Sequence, residues 1–295
     1  NLVVPFLNEN DLKDLRSWAV LSLAIEHKIK HLSLWTAGNA GFSLAKLVHR
    51  WNATVDETER KTVYCMVDAF APPEIVVTLR SLQCRVAPIA TGSGAILSRE
   101  QLYHVFVSLS NEQEHYWQVT DGWDGVGVFM YSLLAQQCLH FLRKELEQNA
   151  TLKDADVYII LPLGTGNFLL GVIRGMERFG QGRAKVVAAL PYGDHMMTPF
   201  LQKKGEPNGR PRMRPDEPEA PKLTGFYSPL SPCLHSLVAN QKFQDVSAVE
   251  FIEVDRASQI EAAARVLSPA NPTIASEPSA LIAFGVLKQL VQRIR

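Results

Sequence analysis

The sequence lacks the features that mark several large classes of protein. Its 295 residues carry no net charge, because Lys+Arg 30 balance Asp+Glu 30, whereas nucleic-acid-binding proteins usually carry a basic excess. No run approaches the roughly 18 consecutive apolar residues of a transmembrane helix, and the first residues do not have the pattern of a secretory signal peptide. We therefore expect no nucleic-acid or membrane partner, and a cytoplasmic protein.

Cysteine is also scarce, with Cys 4 in the whole chain. None of these residues forms a CxxC pair, and no His/Cys cluster has the spacing of a zinc site, so no metal site is predicted. Cys65 and Cys138 lie in apolar segments, which predicts buried free thiols. Free thiols are typical of a reducing compartment such as the cytoplasm, although the interior of a plastid or mitochondrion fits as well.

Predicted strands and helices alternate along most of the chain. Short apolar runs predict strands at 31–35, 62–67, 85–90, 157–161, 185–190 and 248–254. Helical spacing and start signals predict helices at 14–27, 41–51, 73–82, 125–147, 168–178, 257–267 and 279–294, with another beginning near Ser98. The helix at 125–147 is apolar on most faces, which predicts that it is buried. The alternation is typical of an α/β fold with open, mostly parallel, doubly wound sheets flanked by helices.

One segment interrupts this alternation. Residues 205–221 combine repeated prolines with alternating charges, which predicts a loop or mobile segment. A solvated linker is the simpler interpretation, and a partner-binding element is the alternative.

Two glycine-containing turns each join a predicted strand to a predicted helix. In the first, at 36–41, free N–H groups at the helix start can hold an anion, and Asn39 can bond a ligand oxygen. In the second, Gly164–Phe168, several N–H groups and the Thr165 hydroxyl favour a phosphate. It lacks the lysine of a P-loop and a full GxGxxG, which favours phosphate without a nucleotide. For both turns a purely conformational role is the alternative.

Two further residues have both a structural and a functional interpretation. Lys13 lies near the positive end of the first helix among apolar residues, which favours the loss of its proton, as a Schiff-base lysine requires. A surface lysine paired with Asp11 or Asp14 is the alternative. Ser279 can cap the last helix or point its hydroxyl into a cleft at the carboxyl ends of the strands.

Taken in order, these four features resemble the pyridoxal 5′-phosphate (PLP) enzymes of fold type II, the tryptophan synthase β-subunit-like family. The resemblance implies that Lys13 is the Schiff-base lysine and that Asn39 bonds the cofactor's ring oxygen. It implies that Ser279 contacts the pyridine nitrogen. It assigns the substrate carboxylate to Thr36, Ala37, Gly38 and Asn39, and the cofactor phosphate to Gly164, Thr165, Gly166, Asn167 and Phe168.

The resemblance further implies a PLP-dependent lyase acting on a small amino acid. A serine at the pyridine nitrogen, in place of an aspartate, favours elimination or replacement over transamination. The threonine synthase-like branch, which converts O-phosphohomoserine to threonine, is the preferred assignment. It needs a cationic pocket for the substrate phosphate, for which Arg16, Arg80 and Lys222 are candidates. The alternatives are a serine/threonine dehydratase or another β-eliminating or β-replacing lyase, a catalytically inactive relative, and a phosphosugar or nucleotide binder on the same sheet.

The resemblance also predicts the domain organisation. It implies a large PLP-binding domain of residues 1–35 plus 124–295 and a smaller inserted α/β domain of residues 36–123. Relatives carry a substantial segment before the lysine, so we expect an N-terminal segment to be missing from this sequence. A homodimer is expected by analogy with the family.

Overall fold

A computed structural model describes most of the predicted elements. It covers residues 12–36, 38–68, 73–89, 99–110, 115–119, 125–149, 156–179, 184–191, 249–255, 257–258, 260–261, 265 and 281–294. The chain divides into two compact units, Asn1–Met130 and Tyr131–Arg295. The Pro-rich segment 205–221 lies outside the described residues.

Unit 1 contains a parallel sheet covered by helices on both faces. Its helices are α1 (Leu12–Glu26), α2 (Asn39–Asn52), α3 (Pro73–Ser81) and α4 (Arg99–Ser110). Its strands are β1 (His31–Trp35), β2 (Thr62–Asp68), β3 (Arg85–Ile89) and β4 (Tyr116–Gln118). They form a sheet of order β3-β2-β1-β4, in which every pair is parallel.

The register of this sheet separates two cores. Leu32 and Leu34 of β1 face the side on which α1, α2 and α3 pack, and their neighbours on β2 continue the same apolar surface. Tyr64 and Met66 point to the opposite side, where Phe106 of α4 covers them. Because both faces are buried, the strands read as nearly continuous apolar runs, as is usual for parallel sheets.

Unit 2 contains a second, smaller parallel sheet. Its helices are α5 (Val126–Gln148), which starts shortly before the boundary, α6 (Asn167–Phe179) and α7 (Ile282–Ile294). Its strands are β5 (Val157–Pro162), β6 (Ala184–Pro191) and β7 (Val249–Val254), in the order β5-β6-β7 and all parallel. Helix α7 packs on this sheet, with Ile282, Val286 and Leu290 in its core.

Close approach of α6 to α5 depends on one glycine. A Cβ added at Gly175 would lie 2.8 Å from the Ala135 Cβ and 2.8 Å from the Ser132 backbone oxygen. Glycine is therefore required where the two helices meet.

The predicted fold class is confirmed, and most elements lie within two or three residues of their predicted bounds. Strand β4 was not predicted, because it is only three residues long. Helix α5 was predicted to be buried, and this is wrong for Phe129, which is 53% exposed, and Phe141, which is 64% exposed. Both Cys65 and Cys138 are free as predicted, but Cys138 is only half-buried. A hydrogen bond with Cys84 and burial raise the pKa of the Cys65 thiol.

The chain divides near residue 130, so that α1 and β1 lie in unit 1. Strand β1 pairs with β2 on one side and with β4 on the other. The predicted organisation, with a large domain of residues 1–35 plus 124–295 and a smaller inserted domain of residues 36–123, stays a prediction.

Candidate cofactor site

The turn between β1 and α2 is held closed by a threonine side chain. Thr36 is buried, and its Oγ1 accepts hydrogen bonds from the backbone N–H of Gly38 at 3.1 Å and of Gly41 at 3.0 Å. Gly38 has a φ of 146°, which only glycine adopts without strain. A Cβ added at Gly41 would lie 2.6 Å from the Thr36 Cγ2, so this position also requires glycine. The turn is therefore already formed by contacts within the chain.

Asn39 stands at the open part of this turn. It is the first residue of α2 and is half-buried. The backbone N–H groups of Asn39 and Ala40 have no acceptor within the helix, because the first turn of a helix never supplies one. Asn39 and these groups can therefore contact a ligand at the carboxyl end of β1. Ala37, predicted to bind the substrate carboxylate, lies outside the described residues.

Lys13 lies at the start of α1, as its helix pattern predicted. It is the second residue of the helix and is half-buried. The next residue, Asp14, is 1% exposed and bonds to side chains of α2, where Lys46 Nζ lies 2.7 Å from its Oδ2. Lys46 of α2 is thus an ion-pair partner of Asp14. Asp11, the other suggested partner of Lys13, lies outside the described residues.

The turn between β5 and α6 has a different construction. Leu163 N–H donates to the Ala189 oxygen at 2.8 Å, which ties the end of β5 to β6. Gly166 has a φ of 96°, and its oxygen accepts the Leu170 N–H at 2.9 Å as α6 begins. Gly164 and Thr165 are half-buried, so this turn presents backbone to the surface at a helix N-terminus.

Asn167 is the most unusual side chain in this second turn. It is 4% exposed, and its Oδ1 has no hydrogen-bond partner among the described residues. Leaving a buried amide oxygen unpaired costs about 1–3 kcal/mol, so we expect a ligand or an ordered water to pair with this group. Rotating the amide by 180° puts Nδ2, a donor, at the same position. Together with the first N–H groups of α6, it suits the oxygens of a phosphate.

The neighbouring Phe168 has a packing role. Its ring meets Tyr131 edge-on, with centroids 5.3 Å apart. Leu169 and Leu170 are buried beneath the turn. The predicted phosphate contact of Phe168 can therefore come only from its backbone N–H.

A residue that the sequence did not single out lies at the carboxyl end of β4. Gln118 is 5% exposed, and its Nε2 has no hydrogen-bond partner among the described residues. It pairs in register with Ser33 of β1, the strand that leads into the Thr36 turn. In open α/β sheets this edge is where ligands bind. No signal in the sequence marked Gln118, because β4 itself was too short to predict.

The remaining predicted residues are placed only in part. Ser279 and Lys222 lie outside the described residues. Of the candidate cations for a substrate phosphate, Arg16 is buried on α1 and Arg80 is exposed near the end of α3. Within the described residues no group of three or more His, Cys, Asp or Glu side chains is arranged to hold a metal ion. No helix in this part of the chain is long and apolar enough to span a membrane.

The fold is shared with several solved structures. No protein-family model matches the sequence, and a search of curated proteins finds no match either. A PLP-dependent aspartate racemase aligns at 15% identity with a TM-score of 0.62, over 93% of this chain and 73% of that chain. A hydrogen sulfide-producing enzyme, complexed with an α-aminoacrylate intermediate, aligns at 15% identity with a TM-score of 0.64, over 96% and 73%.

A third structure extends this comparison. The cysteine synthase (O-acetylserine sulfhydrylase) of Entamoeba histolytica aligns at 14% identity with a TM-score of 0.63, over 98% of this chain and 72% of that chain. At such identities the likeness concerns the fold. The chain therefore has the two-sheet α/β fold of these enzymes, which is the fold that the sequence resemblance predicted.

Proposed function

We propose that this chain is a PLP-dependent enzyme that catalyses elimination or replacement on an amino acid. The observation that carries the proposal is the buried Asn167 side chain at the start of α6, whose Oδ1 has no hydrogen-bond partner among the described residues. It occurs in the turn that the sequence assigns to the cofactor phosphate. The shared fold supports the proposal, because one of the similar structures is a PLP-dependent racemase and two others make cysteine or hydrogen sulfide.

Each residue proposed to bind the cofactor contacts a different part of it. The Asn167 amide and the first N–H groups of α6 bind the phosphate, with the Thr165 hydroxyl beside them. Asn39 forms a hydrogen bond with the ring oxygen, and the Ser279 hydroxyl contacts the ring nitrogen. When bound, PLP supplies an aldehyde that condenses with amines and a ring that withdraws electrons from the substrate Cα. Lys13 supplies the amine that holds the cofactor, and once freed it is the base for the Cα proton.

The substrate carboxylate is assigned to the carboxyl edge of the first sheet. Asn39 and the N–H groups at the start of α2 offer donors there. Binding the carboxylate at fixed donors orients the amino acid, which is how an enzyme selects the bond that breaks.

Within this class, the proposed reaction is threonine synthase-like, with O-phosphohomoserine as substrate. The Lys-Asp-Leu segment at 13–15 and the Gly-x-Gly-Asn-Phe turn at 164–168 favour it. The second candidate is β-replacement on an activated serine. The similar cysteine synthase and hydrogen sulfide-producing structures favour that alternative.

The cofactor assignment is tested by the visible spectrum of the purified protein mixed with PLP. We expect a near-visible absorbance band in the wild type that is lost in Lys13→Ala and retained in Lys144→Ala, an exposed lysine of α5. A protein that remains colourless with PLP would exclude the enzyme and point to an inactive relative. Binding of phosphosugars or nucleotides without a lysine adduct would instead support the binding-protein alternative.

The reaction is tested by separate incubations with four substrates. These are O-phosphohomoserine, serine, threonine, and O-acetylserine with sulfide. Phosphate release together with threonine formation supports the threonine synthase-like proposal. Cysteine formation supports the β-replacement candidate, and keto acid from serine or threonine alone supports a dehydratase.

A further inference from the structure

A buried polar network links the helix that carries Lys13 to the helix that begins at Asn39. Asp14 is 1% exposed, and both of its carboxylate oxygens are engaged. Its Oδ1 lies 2.5 Å from the Ser43 hydroxyl, and its Oδ2 lies 2.7 Å from Lys46 Nζ. Ser43 Oγ also lies 2.7 Å from Ser17 Oγ on α1. Four side chains from two helices thus bond to one another, with Asp14, Ser17 and Ser43 buried and Lys46 partly exposed.

The chemistry fixes the direction of these bonds. A carboxylate only accepts hydrogen bonds, and a hydroxyl carries one hydrogen. Ser43 therefore donates to Asp14 and accepts from Ser17. The network contains one carboxylate, one ammonium and two hydroxyls, and each has a partner of the right kind.

The position of the network on the two helices is informative. Asp14 directly follows Lys13 in the first turn of α1. Ser43 and Lys46 are three residues apart on one face of α2, and Ser43 lies about one turn after Asn39. The network therefore joins the first turn of α1, next to Lys13, to the first half of α2, which begins at Asn39.

Stability alone does not explain a charged pair at this place. Apolar side chains of similar size often pack two helices together as well as, or better than, a buried ion pair. Ion pairs and hydrogen bonds instead require defined distances and directions, so they select a single register between the helices.

The other end of the same helix pair has its own polar contact. Lys61 Nζ donates to the Ala24 oxygen at 3.1 Å and to the Ile29 oxygen at 2.8 Å, just where α1 ends. Asn52 at the end of α2 bonds the Lys61 backbone, with Nδ2 to the oxygen at 2.8 Å and Oδ1 to the N–H at 2.9 Å. Burial lowers the pKa of Lys61. This contact joins the last turns of the same two helices, whereas Lys13 and Asn39 lie in their first turns.

We propose that Asp14, Ser43 and Lys46 are positioning residues that set the place of Lys13 relative to Asn39. The role at Lys13 rests on the proposed function, whereas the alignment of the two helix starts does not. The Lys61 contact bonds the opposite ends of the same two helices, away from Lys13 and Asn39. Substitutions at Lys46 and at Lys61 can therefore be compared, because both lysines bond the same pair of helices at different places.

The first test measures how fast Lys13 reacts with PLP in the full chain. Borohydride reduction at timed intervals, followed by mass spectrometry of the peptides, gives the rate of adduct formation at Lys13. Lys46→Met is expected to lower this rate by about tenfold or more, because a small displacement of a reacting group has a large effect on rate. Lys46→Arg is expected to restore most of it, and Lys61→Met to leave it within about twofold of wild type.

Equal slowing in Lys46→Met and Lys61→Met, at matched losses of thermal stability, would overturn the proposal. The same holds if Lys46→Met reacts at the wild-type rate. If Lys46→Met does not fold, Ser43→Ala takes its place in the test. This variant removes one hydrogen bond to Asp14 and keeps the ion pair with Lys46.

The second test does not depend on the cofactor. Phe42 N–H donates to the Gly38 oxygen at 2.9 Å in the first turn of α2, and Ala53 N–H donates to the His49 oxygen at 3.3 Å at its end. In hydrogen exchange, Lys46→Met is expected to speed exchange at Phe42 more than at Ala53. Lys61→Met is expected to do the reverse.

The two tests separate two kinds of failure. If wild type forms no adduct at Lys13, the proposed function fails and hydrogen exchange alone decides the alignment. Exchange that rises equally at both ends of α2 in Lys46→Met, or not at all, would overturn the positioning role.

Discussion

Two turns of this molecule have similar sequences and opposite hydrogen-bonding states. Both follow a parallel strand, contain two glycines and lead into a helix. In the turn after β1, Thr36 Oγ1 accepts hydrogen bonds from the N–H groups of Gly38 and Gly41, so these two donors have partners within the chain. In the turn after β5, the buried Oδ1 of Asn167 has no partner among the described residues.

The difference shows that a glycine-rich sequence alone does not distinguish a ligand-binding turn from a turn stabilised by its own hydrogen bonds. A turn that satisfies itself is stable without a ligand and presents a fixed shape. A turn with a buried, unpaired amide is less stable until something binds there. The Thr36 bonds of the first turn are therefore expected to contribute mainly to stability, and the Asn167 side chain of the second turn mainly to binding. Four predictions test this contrast.

The largest effect is expected from Thr36→Val, which keeps the shape of the side chain and removes the acceptor. Two buried N–H groups would lose their partner, and the free energy of unfolding should fall by about 2–4 kcal/mol. Chemical denaturation measures the loss. Thr36→Ser keeps the hydroxyl and should retain most of the stability. If the valine variant is as stable as wild type, the turn is not held by these bonds.

Gly41→Ala is expected to have the next largest effect. The added Cβ would meet the Thr36 Cγ2 at 2.6 Å, and overpacking of this kind costs about 1–3 kcal/mol. The double variant Thr36→Ser with Gly41→Ala lacks that methyl group and should recover part of the loss. A double-mutant cycle that shows simple additivity would contradict the contact.

The second turn is expected to gain stability from a phosphate. At roughly ten times its dissociation constant, a bound anion stabilises the folded state by about 1.4 kcal/mol. Inorganic phosphate should raise the unfolding temperature of wild type and of Thr36→Ser, and Asn167→Leu should lose most of this increase. Equal responses in wild type and Asn167→Leu would place the anion elsewhere.

The smallest effect is expected from Asn167→Leu in the absence of ligand. Replacing an unpaired buried amide with an apolar side chain of similar size should change the free energy of unfolding by less than about 1 kcal/mol, in the stabilising direction. Denaturation without phosphate measures it. A loss as large as that of Thr36→Val would mean that Asn167 is satisfied within the chain, and the contrast between the turns would fail.

The fold was predictable because its signals are local. The apolar runs of β1, β2, β5 and β6 and the helical spacing of α2 lie within short stretches of sequence. The two turns were found for the same reason, since a strand, a glycine pair and a helix follow one another directly. Which turn satisfies itself was not predictable, because both offer the same kinds of donor and acceptor.

Features that depend on distant parts of the chain were missed. Asp14 meets Ser43 across 29 residues of sequence, and nothing local marks the pair. Gln118 is buried at a sheet edge whose strand is three residues long. The exposure of Phe129 and Phe141 was missed. An apolar pattern indicates that a helix can be buried, but tertiary packing decides which of its positions are buried.

The most direct test of the whole account is to map where PLP attaches. The full chain is incubated with PLP, reduced with borohydride, digested and analysed by mass spectrometry, with Lys144→Ala as the matched control. The account predicts one pyridoxyl group per chain, on Lys13, in the wild type and the control alike. A reduced protein without a pyridoxyl group, or one labelled at exposed lysines such as Lys144 while Lys13 stays unmodified, would contradict it.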